Sequence, residues 1–309
     1  MGTITVIIGA YNHASFLTQS LHSVFSQTRK PDEIIIFDDA SIDNTQKVLG
    51  KYVHKLSSVH KKRIKYILHK KNLGPIVSIN QGLSKARGDY IIFLPADDWF
   101  APTILEKEAA ILDRYSDIGV VYSHTYTVTN GKKEVIIAEP AGKTTVVERN
   151  EFGRLLTQGD FIPLLTGLFR KKAIDNLGVL DTNLRFHADH EFWIRLAKFY
   201  HFAYIAEPLA YYRVHGANDH LNASYLPSYE YEFLYILKKH LKRGDPKLAH
   251  LYSQAWRNYY FNLFSRNVLE GKFFEGSRFL WKSFASKPLS FSHLNFWKPF
   301  ALYLKRRLI

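Results

Sequence analysis

Two adjacent carboxylates, Asp97 and Asp98, close the apolar run Tyr90-Ile91-Ile92-Phe93-Leu94-Pro95-Ala96. The run reads as a buried strand. Ala101-Pro102 and Thr103-Ile104-Leu105-Glu106 then open a helix, with Pro near its first position. Open α/β sheets bind ligands at the carboxyl ends of their strands. Paired Asp oxygens in such a place can hold a divalent cation. The competing reading is that Asp98 only caps the next helix. A second acidic strand end, Asp38-Asp39, leads into Ala40-Ser41-Ile42-Asp43-Asn44-Thr45. Asp39 can accept from a base N–H or a ribose hydroxyl, while Ser41 or Asp43 caps the following helix. Asn72-Leu73-Gly74 makes a third strand-to-helix turn, where glycine lets the backbone approach a ligand closely.

These groups need a sheet behind them. Strands are read at Thr3–Gly9, Glu33–Asp38, Arg63–His69 and Tyr90–Pro95, with helical stretches near Ser15–Gln27, Asp43–Leu56 and Pro75–Ala86. The strands are rich in Ile, Val and Phe with little alternation, as expected when both faces are covered. Strand, helix, strand at this spacing means right-handed crossovers and a parallel sheet. Further on, Ile118–His124 reads as a strand and Thr125–Glu148 as edge strands and loops. A helix starts near Asp189 within Phe186–Tyr200, and Leu209–His215 is a last short strand. From Leu226 the pattern turns helical: Leu248, Leu251, Tyr252, Ala255, Trp256, Tyr259 and Leu263 fall at three- and four-residue steps. The expected organisation is an α/β domain over residues 1–220 and a helical extension over 221–309.

Composition narrows the classes. The chain has 309 residues, 46% of them hydrophobic, and no cysteine. Disulfides, thiolate catalysis and cysteine zinc sites are excluded. No signal peptide or membrane-spanning run is read, so a cytoplasmic location is expected. The net charge of +14 is uneven: residues 221–309 hold 15 Lys+Arg against 5 Asp+Glu, with 21 of the 46 aromatics. Such a tail suits an anionic membrane surface. Nucleic acid and a solvated face over an aromatic core are the alternatives, and no nucleic-acid partner is expected. Trp297, Phe300, Lys305, Arg306 and Arg307 are the positions expected to face the membrane.

The first strand runs into Gly9-Ala10-Tyr11-Asn12, without the G-x-G-x-x-G of a dinucleotide site or a P-loop. The ordered set Tyr11-Asn12, Asp38-Asp39-Ala40-Ser41, Asn72-Leu73-Gly74, Ala86-Arg87-Gly88-Asp89-Tyr90 and Ala96-Asp97-Asp98 resembles family 2 glycosyltransferases, inverting enzymes of the GT-A fold. Gly167-Leu168-Phe169-Arg170, Asp189 with Trp193-Ile194-Arg195-Leu196, and Tyr212-Arg213-Val214-His215 extend the resemblance to about residue 220. It implies a GT-A fold with a mostly parallel central sheet and a nucleotide-diphosphate-sugar donor, most commonly a UDP-sugar. Ala10, Tyr11, Asn12, Asp39, Asn72, Gly74 and Asp97 would bind that donor. Asp97 and His215 would hold Mn²⁺ or Mg²⁺, and Asp189 would be the catalytic base.

The chemistry agrees with those roles. A carboxylate takes the proton of an attacking acceptor hydroxyl, and a divalent ion stabilises the departing diphosphate. Asp98, Arg170, Trp193 and Arg213 are candidate acceptor or phosphate contacts. For Asp189 the competing reading is a helix cap, for His215 a structural histidine, for Trp193 a core residue, and for Arg170 and Arg195 pairing with nearby acids.

The sequence departs from the family where Pro95 replaces the first Asp of a D-x-D pair. Ser78-Ile79-Asn80 replaces Ala-Arg-Asn and so lacks a cation, Gly9 replaces a frequent Pro, and Ala188 stands where Glu often precedes the base. The absence of Q-x-x-R-W argues for one sugar added per encounter. The acceptor would be a glycan or lipid-linked saccharide of surface-polysaccharide assembly, met at the inner face of the membrane. The alternatives are a non-catalytic nucleotide-sugar or glycan-binding protein on a degenerate GT-A fold, and a nucleotidyltransferase, whose glycine-rich loop with Arg and Lys is missing.

Overall fold

A computed structural model describes residues 1–136, 145–149, 152–159, 162–216, 218, 226–241, 248–269 and 271–286. The contacts divide the chain into two compact units, one of Met1–Phe152 with Asp160–Glu230, the other of Gly153–Gly159 with Tyr231 onward. The tail positions Trp297, Phe300, Lys305, Arg306 and Arg307 lie outside the described residues.

The first unit is a mixed α/β layer built on one curled sheet. Its strands are β1 (Ile4–Ala10), β2 (Glu33–Asp38), β3 (Ile64–Leu68), β4 (Tyr90–Pro95), β5 (Trp99–Phe100), β6 (Ile118–Thr129), β7 (Lys132–Ile136), β8 (Thr145–Arg149), β9 (Leu168–Arg170) and β10 (His201–Val214). The order is β3-β2-β1-β4-β9-β6-β10-β5, with β7 on β6 and β8 on β10. The half formed by β3, β2, β1 and β4 is parallel. β9 runs antiparallel between β4 and β6. The crossovers are the helices α1 (Leu17–Phe25), α2 (Thr45–His54), the short α3 (Ser58–Lys61) and α4 (Pro75–Lys85). They cover the sheet, which explains why β1 and β4 are almost fully buried and, apart from Thr5, without polar side chains.

Four of the expected strands fall within a residue of their observed ends. The helices are each shorter, because their polar ends engage neighbouring loops. The last strand is the main correction. It begins at His201, not Leu209, and pairs in parallel with β6 down to Val214. Glu207-Pro208 looks like a break in sequence. In the sheet Pro208 sits at a register shift, where its missing N–H costs no ladder bond. There β10 advances from Ile205 to Ala210 while β6 advances only from Ser123 to Thr125.

Behind β4 the chain forms α5 (Ile104–Arg114); α6 (Phe152–Gln158), α7 (Lys171–Leu177) and α8 (Ala188–Ala197) follow. α9 (Leu226–His240) begins in the first unit and continues into the second from Tyr231, and the second unit also contains α10 (Ala249–Leu269), α11 (Phe273–Ser286) and α6 from Gly153. Its core includes Ile236, Leu237, Ala255, Leu263 and Val268. α10 and α11 form a hairpin that turns at Gly271, whose φ of 78° is readily open to glycine.

Candidate active site

The carboxyl ends of β1, β2 and β4 lie side by side, because β1 pairs with both neighbours and brings Ala10 opposite Asp38 and Gly9 opposite Pro95. The loops leaving β1 and β2 are stitched together. Ile42 N–H donates to Asn12 Oδ1 and Asn12 N–H to Ser41 Oγ, both at 2.9 Å. His13 N–H donates to Thr45 Oγ1 at 2.9 Å, and Ala14 N–H to Asp43 Oδ2 at 3.1 Å. Asn12 holds a left-handed φ of 56°, which Asn tolerates better than most residues. Tyr11 is left 41% exposed at the mouth of an open cleft of about 200 Å³. The cleft is lined by Ile7, Gly9, Ala10, Tyr11, His13, Phe37, Asp39, Asn72, Pro75, Ile79 and Pro95, among others. Gly9 is needed there, since a Cβ would lie 2.4 Å from the Phe37 ring.

The acidic pair at the end of β2 divides its work. Asp38 is fully buried and accepts from Gln46 Nε2 and from Ser41. Asp39 borders the cleft and binds the turn into α4. Its Oδ1 accepts from Leu73 N–H at 2.9 Å, and its Oδ2 from Gly74 N–H at 2.8 Å. Gly74, with φ of 85°, also donates to Asn72 Oδ1. His69, which sequence reasoning missed, places Nδ1 2.7 Å from Asp39 Oδ1, and its Nε2 lies 3.0 Å from Gln81 Oε1. Its position at the end of β3 was the available signal, since the other strand ends supplied the other candidates. His69 thus stands beside Asp39 while Ile79 leaves the usual family cation out.

The second acidic pair meets β10. Asp97 Oδ2 lies 3.1 Å from His215 Nε2 and 3.9 Å from His13 Nε2. His13 is a further residue the sequence left unmarked, although it follows Tyr11-Asn12 directly. Burial pulls its imidazole below the ordinary value; Asp97 opposes this and His215 adds to it. Asp98 does not cap α5. Its Oδ1 accepts from Arg213 N–H at 2.8 Å, and its buried Oδ2 has no hydrogen-bond partner among the described residues. Burial, reinforced by Asp97, pushes the Asp98 carboxyl well above the usual range. Arg213 donates through Nε to the Asp97 carbonyl at 2.9 Å and through Nη2 to Gln19 at 2.6 Å. Its guanidinium is sandwiched between Phe16 and Trp99, 4.8 and 4.6 Å from the ring centres. Asn218 Oδ1 accepts from His215 N–H at 2.6 Å.

Asp189 is the second residue of α8, where a carboxylate favours the positive end of the helix. Its Oδ1 accepts from His190 N–H at 2.8 Å, and the capping position itself is His187. Phe186 and His187 both pack on Tyr229, at 4.2 and 5.4 Å between ring centres. Tyr229 in turn acts on Tyr212, whose hydroxyl is pushed up by burial first and then by Asp98, Asp97 and Tyr229. Tyr229 thus packs on the start of α8 and, like Asp97 and Asp98, is within electrostatic reach of Tyr212.

Two expected contacts are corrected. Arg170 reaches no phosphate position: its Nε donates to the Ile118 carbonyl, and its Nη2 to those of Leu112 and Tyr115. Trp193 is fully buried against Phe169 and Phe192, so it offers no platform to an acceptor. Arg195 pairs with Glu191 and holds the carbonyls of Leu177 and Val179.

Among the described residues no group of three His, Asp or Glu side chains is spaced to hold a metal. The Asp97 carboxylate and the His215 imidazole, 3.1 Å apart, are donors of the kind that would hold Mn²⁺ or Mg²⁺ together with a bound phosphate.

Comparison with known proteins follows the same lines. The profile described as glycosyl transferase family 2 matches residues 5–177. An uncharacterised glycosyltransferase of Nostoc sp. is 30% identical over 225 residues, 72% of this chain and 67% of the relative. Among solved structures, Staphylococcus aureus TarS residues 1–349 in complex with UDP shares the fold with a TM-score of 0.63 and 22% identity, over 97% of this chain and 83% of that one. The mannosyltransferase PcManGT of Pyrobaculum calidifontis, in complex with GDP-Man and Mn²⁺, aligns with a TM-score of 0.61 and 14% identity, over 100% and 81%. The fold is that of the GT-A glycosyltransferases.

Proposed function

The chain belongs to glycosyl transferase family 2, and from that premise we propose that it moves a sugar, with inversion, from a nucleotide-diphosphate sugar to a hydroxyl of a saccharide acceptor. One observation carries the reading. His13 lines the cleft holding Tyr11, Asp39 and Asn72 and lies 3.9 Å from Asp97 Oδ2, which is itself 3.1 Å from His215 Nε2. A nucleoside in that cleft would lay its diphosphate towards Asp97.

Tyr11 offers its exposed ring to the base, and Asp39 keeps acceptor capacity for a base or ribose donor beyond its bonds to the α4 turn. Asp97 and His215 would hold Mn²⁺ or Mg²⁺ across the diphosphate; when bound, that ion supplies Lewis-acid stabilisation of the leaving group. Arg213 fixes the Asp97–Asp98 turn from β10. Asp189 takes the proton of the acceptor hydroxyl as it attacks the anomeric carbon, and the sugar–phosphate bond breaks with its electrons going to the diphosphate. One base suffices because no covalent intermediate forms.

The UDP complex of TarS supports a uridine donor. We take the acceptor to be a glycan or lipid-linked saccharide of surface-polysaccharide assembly. The place of work is the cytoplasmic face of a membrane, met through the basic, aromatic C-terminal region.

A screen of UDP-, GDP- and dTDP-sugars with Mn²⁺, beside the Asp97→Ala variant, tests the reading. Metal-dependent release of one nucleotide, lost in the variant, is the expected result. Silence from every donor together with no binding by calorimetry would favour a non-catalytic binding protein, the direction in which Pro95 points.

A further inference from the structure

The α10–α11 hairpin leaves two large rings outside its seam. On the side of α11 that meets α10 stand Gly276 and Ser283, both buried. A Cβ on Gly276 would lie 3.2 Å from Cβ of Asn267, and Ser283 Oγ donates to the Arg257 carbonyl at 3.0 Å. The opposite side presents Phe274 at 73% and Trp281 at 75% exposure. The seam itself already holds a large ring: Phe264 of α10 is buried there, 3.6 Å from where a Cβ on Gly276 would stand, so Phe274 and Trp281 are rings that the packing of the pair leaves over.

Arg278 shares that outer side, its guanidinium 5.4 Å over the Phe274 ring, and the exposed Lys282 stands at its edge, its ammonium 5.6 and 5.8 Å over the rings of Tyr260 and Phe279. Phe and Trp mixed with Arg and Lys on one helical face suit the boundary between headgroups and acyl chains, rings inward and cations on phosphate. A helix of 14 residues is about 21 Å long, short of the roughly 30 Å hydrocarbon core. None of the described helices is long and apolar enough to cross a membrane. Residues 231–309 carry 15 Lys+Arg against 4 Asp+Glu, so the complementary surface is anionic.

We infer that the outer face of α11 docks flat on an anionic phospholipid surface, with Phe274 and Trp281 seated in the headgroup layer and Arg278 and Lys282 on lipid phosphates. This deepens the membrane placement above by naming the surface that makes it. The test is flotation of the full chain with vesicles of phosphatidylcholine plus phosphatidylglycerol, or of phosphatidylcholine alone. The wild-type chain is expected to float with the mixed vesicles only. Phe274→Ala/Trp281→Ala and Arg278→Glu/Lys282→Glu should each weaken recovery at least about tenfold. Calorimetric binding of UDP by the same variants is the control, and it should not change, so loss of lipid binding is read separately from the transfer reading. Equal recovery of all variants overturns the inference. So does binding lost only on removal of residues 290–309, which would assign the lipid contact to the tail. A wild-type chain that fails to float but sediments as a dimer, dissociated by the Phe274/Trp281 variant, would overturn it in favour of a second copy.

Discussion

The backbone N–H of Arg213 donates to Oδ1 of Asp98 at 2.8 Å, although the two lie 115 residues apart in the chain. With the side-chain bond to the Asp97 carbonyl, one residue of β10 holds both members of the acidic pair at the end of β4. Arg213→Ala removes the side-chain half of that clamp and the filling between Phe16 and Trp99. A lost charge-assisted bond of about 1.5–3 kcal/mol corresponds to a fall of about 10- to 100-fold in kcat/KM. Arg213→Lys should recover little, because an ammonium cannot reproduce the planar, stacked fork. Steady-state kinetics of both variants check this.

Asp189→Asn keeps the shape of the α8 terminus but removes the base. We expect kcat to fall about 10²- to 10⁴-fold while UDP binding by calorimetry stays unchanged. Unchanged turnover would remove Asp189 from the mechanism.

Asp97→Ala should abolish the gain in UDP affinity that Mn²⁺ gives the wild-type chain, a gain we expect to be about tenfold or more. A chelator should bring the wild type to the level of the variant. Calorimetry with and without Mn²⁺ reads both.

His69→Ala leaves Asp39 held by two backbone donors only. The turn bearing Asn72 and Gly74 loses part of its anchor, at a cost of about 1–2 kcal/mol. The expected signature is a donor KM raised about 5- to 30-fold with kcat nearly constant, as for loss of uniform binding. A proportional fall in kcat would point to a different role.

Glu108 is fully buried under β6, where Oε1 accepts from Ser123 Oγ and burial pushes its carboxyl well above the usual range. The folded state therefore holds the proton more tightly than the unfolded state. Stability from this group is complete below the unfolded value near 4.3 and declines as pH rises from there through the folded value. Glu108→Gln should raise Tm at pH 8 more than at pH 5 and flatten the profile between them. Parallel Tm profiles in thermal melts would contradict this.

The parallel half of the sheet was legible because its strands are buried on both faces and read as unbroken apolar runs. Asp39 and Asp97 were legible for the same reason, since each ends such a run. His69 was not, because its contact with Asp39 depends on the lateral pairing of β2 with β3, which composition does not carry. Trp193 misled because α8 is covered almost all round, so an aromatic there carries no sign of which side meets a ligand. Arg170 misled because three backbone carbonyls converge on it from α5, β6 and the turn between them, a partner set invisible in one dimension. The start of β10 was hidden by Pro208, which marks an irregularity within the strand and not its end.

That irregularity has a consequence for how the chain tolerates insertions and deletions. Side chains along a strand alternate between faces, so phase at the end of β10 is a matter of parity. Between Ile205 and Ala210 the strand takes up an odd surplus of residues over β6, and this sets which face Arg213 and His215 occupy. A single-residue insertion between Pro208 and Arg213 would present Tyr212 and Val214 to Asp97 and Asp98 instead, with every residue type in the site intact. Pairs of residues can be gained or lost there with the phase kept; single ones cannot.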